Sequence, residues 1–415
     1  MIEITLDGDK SLSHRYLLVS SLIDSQCKIW NLNSGKDVLT TQKVLSRLGM
    51  NFDITSNSIL TDSSNAYKKD LSVPLNCENS GTTIRLLAGM VSAQDISLQL
   101  IGDSSLSQRP MDRIVSPLIK LGANISAKQG LPPISVFPSN LNNISHEIKL
   151  EVASAQVKSS LLLFSFIKGL ELKLTGKISS RDHTELLLKQ LGANIYISKD
   201  NIHLHPSPSL NSFEVRVPGD FSSAMFLIAF RLLVPGPTLV LKKILLNPTR
   251  SYALEILKAM GAKIEISDKR IELGEIVGDI NIDYSQDLKN PKTISSQVVP
   301  LIIDEIPILS LICSRSKGEV RIEGVHELKY KESNRLDEIS RIFPGCLIQN
   351  DNLKILGDNK NFNKISSHDH RILMTQVVAQ SIKSIPKIEN DELKNIEISY
   401  PDLKKHLFIL ANKSR

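Results

Sequence analysis

Short polar clusters gather most of the residues that could do chemistry. The first reads DKSLSHR: Lys10 brings a point charge, Ser11 a hydroxyl, and Arg15 a bidentate guanidinium one helical turn further on. Such a set suits an anion, although an ordinary capped helix start has the same composition. In NSGTTIR, Gly81 lets a ligand approach the backbone, and the N–H groups after it could hold a carboxylate or phosphate. Arg109 stands before Pro110, at a helix entrance, with a solvated surface arginine as the even alternative. Ser154, Ala155 and Gln156 open an apolar run and suit a hydroxyl-rich ligand, and Ser180 opens SRDHTE. For SRDHTE we expect capping and ligand contact: His183 follows Asp182 directly, and helix neighbours point apart, so a nucleophilic dyad is disfavoured. The last clusters are Asp304-Glu305, then Lys331, Glu332 and Arg335 within about one helical turn, then His368-Asp369-His370-Arg371. Alone, the second of these reads as a solvated helix start. Histidines at i and i+2 without further ligands argue against a metal there.

The elements that must position these residues repeat along the chain. An amphipathic helix ending in glycine and followed by an alternating strand occurs around Gly49, Gly122, Gly192 and Gly261, with a degraded copy around Gly345. Glycine is expected to supply the positive φ that closes each helix, before the period changes from helical to two. Interleaved with these are six polar clusters that each open an apolar helix: GDKSLSHRYLLVSSL, NSGTTIRLLAGMV, SAQVKSSLLLFSF, GDFSSAMFLIAF, DEIPILSLIC and HDHRILMTQVVA. Their Ser, Asp and Asn residues make good N-caps. The pattern predicts six α+β units, three per domain, with helices apolar and buried on both faces. Six helix N-termini directed into one cleft would attract phosphates and carboxylates, but spacing does not show that they converge.

Bulk properties agree. The 415 residues call for two domains, and 41% hydrophobic with 23% charged residues is a globular composition. The net charge of +6 is dispersed, which disfavours nucleic-acid binding. Cys27, Cys77, Cys313 and Cys346 are far apart, as expected of reduced, buried thiols rather than disulfides or a zinc site. Neither a secretory signal nor a membrane span is visible, so a soluble cytoplasmic protein is expected.

In order, DKSLSHR, NSGTTIR, the GD…RPMDR segment, SAQVKS, SRDHTE, PGDFSSA, DEIP, KYKESNR, DHR and SYP resemble the EPSP synthase family over essentially the whole chain. The resemblance implies an α/β (α+β) fold of two similar domains, each of three βαβαββ repeats (the inverse α/β barrel of enolpyruvyl transferases). Residues 1–10 plus 221–415 would form one domain and 11–220 the other. The chain would cross near Asp9–Lys10 and Gly219–Asp220, and the active site would lie in the cleft, with helix N-termini facing it. The implied reaction transfers the enolpyruvyl group of phosphoenolpyruvate to the 5-hydroxyl of shikimate 3-phosphate, without metal or organic cofactor, in a monomer independent of nucleic acid and membrane.

Carried over by position, Lys10, Ser11, Arg15, Ser154, Ala155, Gln156, Ser180, Asp304 and Lys331 correspond to shikimate 3-phosphate contacts. Lys10, Gly81, Arg109, Gln156, Arg335 and Arg371 correspond to the phosphoenolpyruvate pocket, and Asp304, Lys331, Glu332 and Lys10 to the acid–base group. Asp304 is the expected base for the hydroxyl, with Lys10 or Glu332 protonating the methylene carbon. Departures from the family are Asp7 for a proline, Lys329 and Asn334 for a usual Arg and Asp, and Ile398 where some members carry a pocket lysine. Gly81 is the small residue associated with glyphosate binding in the family. The nearest rival, UDP-N-acetylglucosamine enolpyruvyl transferase, carries a reactive cysteine before its arginine-proline motif, whereas Ser104–Gln108 contains none. A non-catalytic anion-binding homologue is the second rival.

Overall fold

A computed structural model describes residues 1–55, 58–67, 73–139, 141, 146–382, 395–396 and 399–413. Each polar cluster does open a helix: α1 (Lys10–Ser20), α2 (Gly81–Ser92), α3 (Ala155–Lys168), α4 (Phe221–Leu233), α5 (Ile306–Arg315) and α6 (His370–Ser381). Five are capped by their own side chains. Asp9 accepts from Leu12 N, Ser80 from Thr83 N, Ser154 from Val157 N, Asp220 from Ser223 N, and Asp369 from Arg371 N and Ile372 N. These bonds satisfy N–H groups that a helix start leaves unpaired. Helix α5 differs: Glu305 precedes it without a capping bond, and Pro307 in the first turn removes one donor instead.

The six helices are buried on nearly all sides; from Phe221 to Leu232 every residue of α4 is buried. Helix α2 meets α3 so closely at Gly89 that a methyl group there would collide with the Ser160 carbonyl. Among the described residues no helix is long and apolar enough to cross a membrane. All four cysteines are buried and free.

The chain forms two compact units. Unit 1 comprises Met1–Asp7, Pro218–Ile271 and Ile276–Arg415; unit 2 comprises Gly8–Val217 and the hairpin tip Glu272–Glu275. Five four-stranded sheets are described, all with one topology. In unit 2, for example, Leu75–Asn76 runs parallel to Leu98–Ile101, which pairs antiparallel with Leu131–Phe137, which pairs antiparallel with Asn124–Lys128. With α2 and the helix Asp112–Lys120 this is one βαβαββ unit. Two units exchange their first strands. Ile2–Thr5 lies parallel to Leu239–Leu245 in unit 1, while Glu214–Arg216 lies parallel to Cys27–Trp30 in unit 2.

The glycine stops behave as expected at Gly49, Gly122, Gly192 and Gly261, whose φ values are 101°, 89°, 99° and 92°. Gly345 does not. Its helix ends at Ile342 with an extended Phe343, so no left-handed residue is needed. The missing side chain matters for contact instead, since a Cβ on Gly345 would stand 3.2 Å from Leu356 Cβ.

Candidate active site

Unit 2 carries a cationic set held by neutral acceptors. Arg15, one turn into α1, donates to Thr184 Oγ1 (2.8 Å), Ser159 Oγ (3.0 Å) and the Ser11 carbonyl (2.9 Å). Burial, partly offset by Glu185, pushes its guanidinium down to about 10. At the head of the same helix Lys10 pairs with Asp37 at 3.0 Å. At the start of α2, Arg85 donates to Gln156 Oε1 (2.8 Å), and Gln156 donates onward to Thr82 Oγ1 (3.1 Å). Burial first, then the like charges of Arg113 and Arg109, push Arg85 down to about 9. Arg109 donates to Asn79 Oδ1 (2.8 Å) and Ser105 Oγ (3.2 Å), just before a helix that starts at Asp112 rather than at Pro110. Gly81 leaves room for both arginines, because a Cβ there would lie 3.1 Å from Arg85 Nη1 and 3.4 Å from Arg109 Nη1. Clustered cations beside a helix N-terminus make an anion site.

Ser154 caps α3 and Ala155 is its first residue. Ser180 is buried, and its hydroxyl has no partner among the described residues. Its carbonyl accepts from Lys158 Nζ (3.3 Å), which also meets Glu185 Oε1 at 2.6 Å. The rest of SRDHTE works differently from the expectation. Asp182 makes no capping bond, and His183 is buried with its Nδ1 2.8 Å from Glu275 Oε1. Lys158–Glu185 and His183–Glu275 are interior pairings of the kind burial demands.

Unit 1 carries a set dominated by carboxylates. Residues Lys331 to Asn334 precede their helix, which begins at Arg335. The Arg335 guanidinium, 1% exposed, donates to Asp369 Oδ2 (2.7 Å), Asp304 Oδ1 (3.1 Å) and Glu332 Oε2 (3.2 Å). Burial opposes its charge, but Asp369, Glu332 and Asp304 outweigh that and raise its pKa. Asp304 also has Lys331 Nζ at 3.8 Å and Arg371 Nε at 3.9 Å. Arg371 Nη1 donates to the Asp304 carbonyl at 3.2 Å. His370 Nδ1 lies 2.6 Å from Glu332 Oε2, and the Glu332 carbonyl lies 3.0 Å from His368 Nε2. This set can hold an anion through Lys331, Arg335 and Arg371 and exchange protons through Asp304 and Glu332.

Several residues that the geometry adds to these sets carry no role in the sequence analysis. Arg85 in NSGTTIR, Ser159 in SAQVKS, Thr184 in SRDHTE, and Asp369 and His370 belong to clusters singled out above but have no separate role there, and Asp37 lies outside every cluster. Ser159 carries no separate signal, since Lys158, Ser160 and Ser165 are buried polar residues of the same helix. None existed for Asp37, whose meaning depends on meeting Lys10 in space. Ile398 lies outside the described residues.

The family model for EPSP synthase (3-phosphoshikimate 1-carboxyvinyltransferase) matches residues 2–407. The chain is 38% identical to the 3-phosphoshikimate 1-carboxyvinyltransferase of Petrotoga mobilis over 415 residues, covering 96% of this chain and 94% of that protein. It is 38% identical to that of Vesicomyosocius okutanii over 411 residues, covering 96% and 93%. Among solved structures, EPSP synthase from Acinetobacter baumannii superposes with a TM-score of 0.85 at 31% identity, covering 98% of this chain and 95% of that one. The enolpyruvyl transferase NikO from Streptomyces tendae, at 13% identity and a TM-score of 0.76 over 99% and 94%, shares the fold. Matched in this way from end to end, the chain belongs to the EPSP synthase family.

Proposed function

We propose that this chain transfers the enolpyruvyl group of phosphoenolpyruvate to the 5-hydroxyl of shikimate 3-phosphate, releasing phosphate. The observation that carries the proposal, beside family membership, is the Asp304 carboxylate held within 4 Å of Arg335, Lys331 and Arg371. A carboxylate among cations is suited to stand beside an anionic substrate and receive a proton.

In this reading Lys10, Ser11, Arg15, Ser154, Ala155, Gln156 and Ser180 hold shikimate 3-phosphate, with Asp304 and Lys331 at its reacting hydroxyl. The unpartnered Ser180 hydroxyl supports a ligand contact there. Lys10, Gly81, Arg109, Gln156, Arg335 and Arg371 hold phosphoenolpyruvate, and Arg85 joins them through Gln156.

Asp304 takes the proton of the 5-hydroxyl as its oxygen bonds to C2 of phosphoenolpyruvate, while Lys10 or Glu332 protonates C3. The tetrahedral adduct then loses phosphate from C2 and a proton from C3, restoring the double bond. Positioning and charge stabilisation supply most of the acceleration, and acid–base assistance adds a factor of about 100 to 10,000. The protein acts in the shikimate route as a soluble cytoplasmic monomer, and Gly81 leaves it open to glyphosate.

Phosphate release from phosphoenolpyruvate by the purified protein tests this. Release strictly dependent on shikimate 3-phosphate supports the proposal. Its absence, with binding still seen by calorimetry, would favour a non-catalytic anion-binding homologue. Dependence on UDP-N-acetylglucosamine would favour the other transferase.

A further inference from the structure

One motif of unit 2 has no part in the reaction proposed above: Ile202-His203-Leu204-His205. Alternate residues of an extended strand share a face. Ile202 and Leu204 are buried, so His203 and His205 lie on the outward face. The strand Ile202–Leu204 is bonded on both sides. It pairs with Leu172–Gly176, Lys173 opposite His203, and with Ile195–Ile197. Beyond its end the His205 N–H donates to the Asn194 carbonyl at 2.8 Å. Both histidines therefore stand on a fixed backbone.

Glu171 completes the group. It precedes Leu172, whose partner is Leu204, and the register brings Glu171 opposite His205. Glu171 Oε1 lies 2.7 Å from His203 Nε2 and 3.6 Å from His205 Nδ1, and the two imidazole centroids are 4.0 Å apart. All three ligand atoms fall within 4.8 Å of one another. His146 Nδ1, 3.1 Å from the Glu171 carbonyl, further anchors that residue.

We propose that Glu171, His203 and His205 form a surface site for a divalent cation of the zinc class. Two imidazoles and one carboxylate favour Zn²⁺, Ni²⁺ or Cu²⁺ over the oxygen-seeking Mg²⁺ and Ca²⁺. In a tetrahedral zinc site with bonds near 2.0–2.1 Å, ligand atoms stand about 3.3 Å apart, between the two distances seen at Glu171. The side chains are 49%, 30% and 38% exposed, which leaves an open position for water. Among the described residues no lysine or arginine pairs with Glu171; Lys173 pairs with Glu147 instead, at 3.5 Å. A second group with suitable spacing, Glu332, Asp369 and His370, already holds a cation, the Arg335 guanidinium bonded to both carboxylates. Charge thus separates the two groups, because only the exposed one would gain by admitting a metal.

The test is calorimetric titration of the chelator-stripped, full-length protein with zinc chloride. One equivalent should bind per chain, and zinc should raise the melting temperature. His203→Ala and Glu171→Gln should each weaken binding by at least about tenfold, since even residues behind metal ligands cost that much. Both variants should keep the wild-type rate of enolpyruvyl transfer, which checks their folding. If His203→Ala folds poorly, His205→Gln, beyond the end of the strand, serves for the same measurement. No binding by the wild type would overturn the proposal. So would zinc affinity that is unchanged in these variants but lost in His370→Gln.

Discussion

The two units begin their central helices with similar polar clusters and furnish them with opposite chemistry. In unit 2 the arginines rest on neutral acceptors: Arg15 on two hydroxyls and a carbonyl, Arg85 on an amide, Arg109 on an amide and a hydroxyl. In unit 1 Arg335 rests on three carboxylates. The consequences run in opposite directions: burial pushes Arg15 down to about 10 and Arg85 to about 9, whereas Arg335 is raised. A cation supported by neutral groups keeps its charge for a ligand. A cation shared among carboxylates spends part of its charge on holding them in place. In the proposed reaction unit 2 would chiefly receive anions, while unit 1 would position acids and bases and add Lys331, Arg335 and Arg371 to the anion contacts.

The sharpest way to break this comparison is Asp304→Asn. If unit 1 supplies the base, turnover should fall by about 100- to 10,000-fold, with a much smaller change in shikimate 3-phosphate affinity by calorimetry. An undiminished rate would remove Asp304 from the mechanism and leave unit 1 with a binding role only.

Next in size is a pair of arginine deletions. Arg335→Met strands the wholly buried Asp369 carboxylate, and losing one partner of a buried ion pair costs about 3–5 kcal/mol. Arg15→Met takes a donor from a carbonyl and from two hydroxyls that still bond each other, for which at most about 1–3 kcal/mol is the expected cost. Urea unfolding of both variants should therefore rank Arg335→Met as clearly the less stable. Equal losses would mean that the carboxylate and hydroxyl settings do not differ as the distances suggest.

The pattern of elements was legible in the sequence because it rests on local rules. Helical spacing, side-chain caps and positive-φ glycines lie within a few residues of one another, and five of the six caps form. Gly345 failed because a glycine can serve close contact as well as φ, and the letter does not say which. The exchanged first strands, Ile2–Thr5 and Glu214–Arg216, were not legible, since strand pairing over more than 180 residues leaves no local trace. The candidate residues were legible by type, while their partners were not: nothing near His183 names Glu275, 92 residues away.

A third measurement concerns His14, wholly buried in α1 with Nδ1 2.7 Å from Thr41 Oγ1. Burial lowers its pKa to about 3; Asp37 opposes this, and Lys10 and Arg15 add to it. The unfolded chain takes up this proton near the ordinary pKa of 6.5, and the folded protein only near 3. Between those values the unfolded state binds more protons, so stability rises with pH and is lost on acidification from 6.5 towards 3. One proton corresponds to a slope of about 1.4 kcal/mol per pH unit. His14→Gln, which cannot titrate, should flatten the stability–pH curve by up to that amount. Superimposable slopes would show that burial in α1 does not hold His14 neutral.

The smallest effect sharpens the comparison most locally. In Gly81→Ala the new methyl would lie 3.1 Å from Arg85 Nη1, tighter than ordinary contact, and 3.4 Å from Arg109 Nη1, at the edge of it. The Arg85 guanidinium must give way by a few tenths of an ångström, and it rests on a neutral acceptor that allows it. A full 1 Å misplacement costs about 100-fold, so the Michaelis constant for phosphoenolpyruvate should rise by less than about tenfold, with kcat little changed. The same change at an arginine locked by carboxylates would instead cost stability. A lowered melting temperature with an unaltered Michaelis constant would therefore show that the Gly81 pocket is structural, and that the division between a receiving unit and a positioning unit is drawn in the wrong place.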